Sequence, residues 1–256
     1  MTKKVAIIGE TCTDQYIFGE CDRVCPEAAA LCFNHNNDMI RTNTGMAGNV
    51  YANLKSLDRS NHFSIDLISP ETNIIKKRFV DSRYNTIVFR EDINDSADRI
   101  SLSKYNFTQY DFIIFSDYCK GFLLEEDIIN ICKLKSNSCV TFIDTKKRLD
   151  ILSEYIDCIK INHHELKQNL DIIHHISNNA KLIVTMGENG AVLYWKDTEK
   201  HYPTNKVELR DVCGAGDTFL AGLVAKYAET YDINDSIVFA NLCSSKAVSQ
   251  FGVVIV

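Results

Sequence analysis

The 256-residue sequence predicts an α/β fold on a mostly parallel central sheet. Short apolar runs at Val5–Gly9, Asp111–Ser116, Cys139–Asp144, Cys158–Asn162 and Lys181–Thr185 are continuous rather than alternating, as in strands buried on both faces. Stretches with helical spacing lie between them, and strands alternating with helices along the whole chain bring parallel pairing. With three prolines, no Ser/Gly-rich run and 45% apolar residues, the chain reads as one well-buried domain over residues 1–256 with no flexible linker.

In chain order, Lys3-Lys4 precede an apolar run too short for a signal-peptide core or a membrane span, so a soluble, cytoplasmic protein is expected. Asp14 follows the first strand, where open α/β sheets bind ligands and where an ordinary turn aspartate also sits. Segments 31–40 and 76–90 read as extended, partly polar strands. Between them, Gly45 and Gly48 open a helix bearing Asn49, whose amide offers both a donor and an acceptor. Only one strand, Phe63–Ser69, fits between Leu57 and Ile74, a trimmed sheet edge.

The strand from Asp111 ends in Asp117 and Lys120, which either meet a ligand or close a surface turn. Leu123–Lys135 is an amphipathic crossover helix, and the next strand ends in Asp144 and Lys146. Asn162 and Glu165 start a short helix. Their neighbours His163 and His164 point about 100° apart and do not share a metal; these and His174-His175 are assigned to the surface. A strand to Thr185, a glycine turn at Gly187 and Gly190, and a strand to Trp195 follow. A last helix over Ile237–Gln250 is expected to turn Val238, Leu242, Ala247 and Val248 to the core.

The net charge of −6 disfavours a nucleic-acid backbone reader. Ten cysteines include no Cys-x-x-Cys pair, and Cys139, Cys158 and Cys243 sit singly in apolar runs, as small hydrophobes do in a reducing compartment. The most informative stretch is Arg210–Tyr227. Gly214, Ala215 and Gly216 precede Asp217, with Phe219, Leu220, Leu223, Val224 and Tyr227 at helical spacing behind. Unshielded amides at a helix start attract an anion, phosphate above all. A carboxylate in that first turn suits a general base beside an oxyanion hole, and a capped structural helix looks the same.

The longer string Asp211-x-x-Gly214-Ala215-Gly216-Asp217-Thr218-Phe219 resembles the C-terminal signature of the ribokinase-like (PfkB) carbohydrate kinases. The resemblance implies a three-layer α/β/α fold with a small β lid near 31–40 and 76–90, which is also the homodimer contact. It makes Asp217 the base and Gly214, Ala215 and Gly216 the anion hole. GETCTDQYIFGECDRVCPEA, from Gly9 to Ala28, is similar to the opening of the heptose-7-phosphate kinases in that family, matching at Asp14, Tyr16, Gly19, Arg23, Pro26, Glu27 and Ala28. Glu10 stands for the usual aspartate and Gln15 for arginine. SDYCKG, from Ser116, resembles the same kinases, and Asn43–Leu54 the family's GGAAN motif with Met46 at a glycine position.

By this resemblance Asp14, Gly45, Asn49, Asp117, Lys120, Asp144 and Lys146 bind substrate, with Arg78 and Arg90 further cations for a substrate phosphate. Asn162, Glu165, Thr185, Gly187, Asn241 and Ser245 lie on the ATP side, Glu165 holds Mg²⁺ through water, and Asp211 holds a monovalent cation such as K⁺. The implied reaction is phosphoryl transfer from ATP to the anomeric oxygen of a heptose 7-phosphate. A kinase for another sugar or sugar phosphate, and a silent nucleotide or sugar binder, are the alternatives. No nucleic-acid or membrane partner is expected. With no His-x-Gly-His, the nucleotidyltransferase activity of some relatives is expected on another polypeptide.

Overall fold

The computed structural model describes residues 2–256, apart from the side chains of residues 36 and 37. β1 (Lys3–Gly9) lies inside an eight-stranded sheet. β4 (Phe63–Ile68) flanks it at the edge and β7 (Phe112–Asp117) on the other side. β8 (Val140–Thr145), β9 (Cys158–Asn162) and β10 (Lys181–Thr185) continue in parallel. β11 (Ala191–Trp195) and β12 (Thr198–Tyr202) close the far side antiparallel.

The parallel strands have no polar face because both sides are covered. On β1 and β7, Val5, Ile7, Phe112 and Ile114 point into a core shared with α1 (Ala47–Leu57), α5 (Ala215–Thr230) and α6 (Ile233–Val248). Ala6, Ile8, Ile113 and Phe115 point the other way, toward α2 (Glu125–Leu134) and α4 (Ile173–Asn179), with the short α3 (His163–Lys167) alongside. Each large apolar side chain so buried contributes roughly 1.5–3 kcal/mol. Cys139, Cys158 and Cys243 belong to these interiors. The three-layer α/β/α expectation is met.

A second, four-stranded sheet forms the lid, in the order β3 (Leu31–Met46), β2 (Thr11–Val24), β5 (Ile74–Asp81), β6 (Thr86–Ile93). Three details depart from the sequence reading. Segment 76–90 is a hairpin turning at residues 82–85, not one run. Thr11–Val24 is a lid strand, hidden in the sequence because its buried face carries Asp14 and lies beside Lys76 and Arg78. The last helix starts at Ile233, capped by Asp232, and leaves Val238 and Leu242 51% and 49% exposed rather than in the core.

The register of the parallel strands decides where chemistry collects. Gly9 pairs with Ser116, Ser116 with Asp144, Asp144 with Lys160, and Asn162 with Thr185. The polar residues singled out at the ends of the parallel strands therefore line up along the carboxyl end of the sheet. No helix among the described residues is long and apolar enough to cross a membrane.

Candidate active site

α5 begins at Gly214, whose φ of 75° is left-handed; a Cβ there would lie 2.6 Å from Asn49 Nδ2, so only glycine fits. The Ala215 amide leans on Val212 O at 3.3 Å and that of Thr218 closes on Gly214 O at 2.9 Å. The amides of Gly216 and Asp217 have no acceptor among the described residues. A 16-residue helix thus points two unpaired N–H groups and its positive end at one spot.

Asp217 sits in that first turn, 3% exposed. Its Oδ1 accepts from the Tyr118 hydroxyl at 2.7 Å and its Oδ2 from Asn49 Nδ2 at 3.1 Å. Burial pushes the carboxyl up to about 7. The Tyr118 and Asn49 hydrogen bonds oppose this, Asp144 adds to it, and Lys160 opposes it. A carboxylate half-ionised near neutrality is matched to taking a proton from an alcohol.

Lys160, buried on β9, reaches the same place. Its Nζ donates to Asp144 Oδ2 at 2.6 Å, and a Cβ on Gly216 would lie 2.9 Å from it. Burial disfavours its charge, but the Asp144 carboxylate outweighs that and its pKa is raised. Sequence reading passed over Lys160; the signal was a lone charge inside the apolar strand Cys158–Asn162.

On the lid side, Asp14 forms a buried ion pair with Arg78, and Gly45 lies so close that a Cβ would overlap Asp14 Oδ2. Met46, at the glycine position, keeps a φ of 56°, a conformation that costs a side-chain-bearing residue on the order of 1–3 kcal/mol. Glu10, fully buried, accepts from the amides of Tyr118, Lys120 and Phe122 at 2.9, 2.9 and 3.3 Å and so shapes the loop that carries Tyr118. The ammonium groups of Lys76 and Lys146 stand 5.4 and 5.5 Å from the centre of the Tyr118 ring.

Residues 65–255 match the pattern of the pfkB family carbohydrate kinases, three-quarters of the chain. The chain belongs to the pfkB family. It is 25% identical, over an alignment of 302 positions, to the bifunctional protein HldE of a Nitratiruptor species, covering 98% of this chain and 63% of that protein. The curated relatives it matches are longer, and it spans 60–63% of their length. Solved folds agree: a Methanocaldococcus jannaschii nucleoside kinase of the ribokinase family superposes with a TM-score of 0.70 at 17% identity, covering 98% of this chain and 93% of that one. Arabidopsis thaliana ribokinase, complexed with ribose and ATP, gives 0.71 at 14%, covering 98% and 94%. The chain is thus a pfkB-family carbohydrate kinase chain with the ribokinase fold.

In this pfkB kinase the expected residues divide by what they touch. Asp217, Gly214, Gly216, Asn49 and Asp144 converge, and Gly45 and Asp14 join them from the lid. Asp117 does not face open space: it is 2% exposed and accepts from the Cys119 amide at 3.0 Å, the Thr145 hydroxyl and Lys147 Nζ, bracing two loops. Lys120 pairs with Asp95 and Arg90 with Asp92, so neither is a free cation. Asn162 and Glu165 form a capping box: Asn162 Oδ1 accepts the His164 and Glu165 amides, and Glu165 Oε2 accepts the Asn162 amide. Burial raises the Glu165 carboxyl. Thr185 donates to Ile161 O at 3.3 Å, and Gly187 borders open space. Asn241 and Ser245 hold the Tyr202–Thr204 segment, through Tyr202 O at 3.0 Å and the Thr204 hydroxyl at 2.6 Å. Asp211 accepts the Cys213 and Gly252 amides at 2.9 and 3.0 Å, tying the loop before α5 to the chain after α6.

Proposed function

We propose that this kinase phosphorylates the anomeric hydroxyl of D-glycero-D-manno-heptose 7-phosphate, giving the 1,7-bisphosphate. The observation that carries this reading is the Tyr118–Asp217 hydrogen bond. It puts the SDYCKG segment, which resembles the heptose-7-phosphate kinases and not the wider family, against the base itself. The relatives named HldE point the same way.

Asp217 takes the proton of the acceptor hydroxyl as its oxygen forms a bond to the γ-phosphorus, and the bond from that phosphorus to the β–γ bridging oxygen breaks, releasing ADP. The unpaired amides of Gly216 and Asp217, with Lys160 beside them, take up charge on the transferred group. An anomeric hydroxyl suits a carboxylate base because the ring oxygen stabilises its anion. Asp14, Gly45 and Asn49 face the sugar. The exposed Val238 and Leu242, on the α6 face that continues to Ser245 and Thr204, suit a stacked adenine.

The Glu165 oxygen not used by the capping box is a hard donor fit for a Mg²⁺-bound water, and the cation neutralises phosphate charge when present. Asp211 is the corresponding choice for a monovalent cation. The open lid edges β3 and β6 and the exposed Val24, Leu31 and Phe89 support a homodimer through the lid. ATP as the donor places the reaction in the cytoplasm.

The test compares heptose 7-phosphate with ribose, fructose and fructose 6-phosphate by ADP release, then locates the new phosphate by phosphorus NMR. Fastest turnover of heptose 7-phosphate with an anomeric product is expected. Faster turnover of an unphosphorylated sugar, or phosphate elsewhere on the product, rejects the assignment.

A further inference from the structure

Lys76 is the buried basic residue of the lid with no carboxylate partner among the described residues; Arg23 and Arg41 also lack one but are exposed. Lys77 pairs with Glu91, Arg78 with Asp14, Arg83 with Asp81, Arg90 with Asp92 and Lys120 with Asp95. Lys76, only 8% exposed, makes no ion pair or hydrogen bond among the described residues. An ammonium kept that far from water with no hydrogen-bonded partner of its own is expensive.

Its position says what relieves that cost. On β5 it is the register partner of Asp14 and of Asp92, whose own carboxylates are engaged by Arg78 and Arg90. Its ammonium lies 5.4 Å from the centre of the Tyr118 ring, whose hydroxyl donates to Asp217 at 2.7 Å, and Gly45 packs against Asp14 beside it. Lys76 therefore borders the space that holds Asp14, Gly45 and Asp217.

We propose that Lys76 is the specificity-determining residue that receives a phosphate carried by the acceptor sugar. The acceptor class is then a sugar phosphate, whichever sugar it is. This rests on the kinase reading of Asp217 but not on the choice of heptose.

The experiment measures kcat/KM for the wild type, Lys76→Met and Lys76→Arg with heptose 7-phosphate, fructose 6-phosphate and the two dephosphorylated sugars, and KM for ATP. Thermal melting checks that each variant is folded. The wild type should prefer the phosphorylated member of a pair. Lys76→Met should lower that preference roughly 10- to 100-fold, the worth of one charge-assisted bond, with KM for ATP little moved. Lys76→Arg, which keeps the charge, should recover part of it. A preference untouched by Lys76→Met, a loss equal for both members of each pair, or a rise confined to KM for ATP overturns the subsite and leaves the kinase standing. A wild type that prefers unphosphorylated sugars overturns it too. Turnover of fructose 6-phosphate alone, with the same dependence on Lys76, supports the subsite and retires the heptose assignment.

Discussion

Replacing Asp217 with asparagine should slow the enzyme and alter its stability in a pH-dependent way. The carboxyl titrates near 7 in the folded protein against its ordinary 3.8, chiefly because burial penalises its charge. Below pH 3.8 it is protonated in both states and folding incurs no penalty. Between 3.8 and 7 the unfolded chain ionises and the folded one does not, so stability is progressively lost. Above 7 the full penalty stands, about 4 kcal/mol for a shift of about three units. Asparagine has no charge to bury and escapes it.

It also turns an amide toward Asn49 Nδ2, a donor facing a donor, which costs about 1–3 kcal/mol at every pH. The absolute gain is therefore small, and the slope is the readout. The stability of Asp217→Asn relative to wild type, from urea unfolding at fixed temperature, should rise by roughly 1.4 kcal/mol per pH unit up to about pH 7 and flatten above about pH 8. Turnover should fall roughly 10²–10⁴-fold with nucleotide binding little changed. Parallel stability curves from pH 5 to 8 would show that Asp217 titrates as an ordinary aspartate and would refute the reasoning. Near-normal turnover would remove it as the base.

Tyr118→Phe deletes a donor that favours the ionised form of Asp217, so the acidic limb of the kcat/KM profile should move up by roughly one pH unit. A limb that stays in place excludes Tyr118 from the tuning of the base. The lid contact is checked with Phe89→Glu, which puts a charge on the exposed outer face. Light scattering should report a dimer for wild type and a monomer for the variant, and a wild-type monomer well above assay concentrations rejects the interface.

Much of the architecture was legible in the residues. Continuous apolar runs with polar ends are what a doubly covered parallel strand requires, and they located β1, β7, β8, β9 and β10 within one or two residues. Gly214 to Asp217 were legible because a left-handed turn and an unshielded helix start can be built from few sequences. β2 was not, since the charged Asp14 breaks the apolar pattern of its buried face between Cys12 and Tyr16, and period-2 reasoning reads burial through apolarity. The exposure of Val238 and Leu242 was not legible either, because an apolar stripe looks the same whether it meets the core or open space.

The sequence by itself determined the layered fold, the strand ends where polar groups gather and the identity of the helix that opens on Asp217, because these depend on local periodicity and backbone conformation. Only the tertiary structure decided which charges are free. Lys120, Arg90 and Arg78 looked available for a substrate phosphate until Asp95, Asp92 and Asp14 were brought against them, while Lys76, not singled out in the sequence for that role, stayed without a partner among the described residues. Likewise Asp117 became a brace when Lys147 and Thr145 reached it, and Lys160 joined Gly216 only through the register of β8 and β9. Counter-charges come from segments distant in the chain, and burial, which sets the titration of Asp217, is a property of everything packed around it.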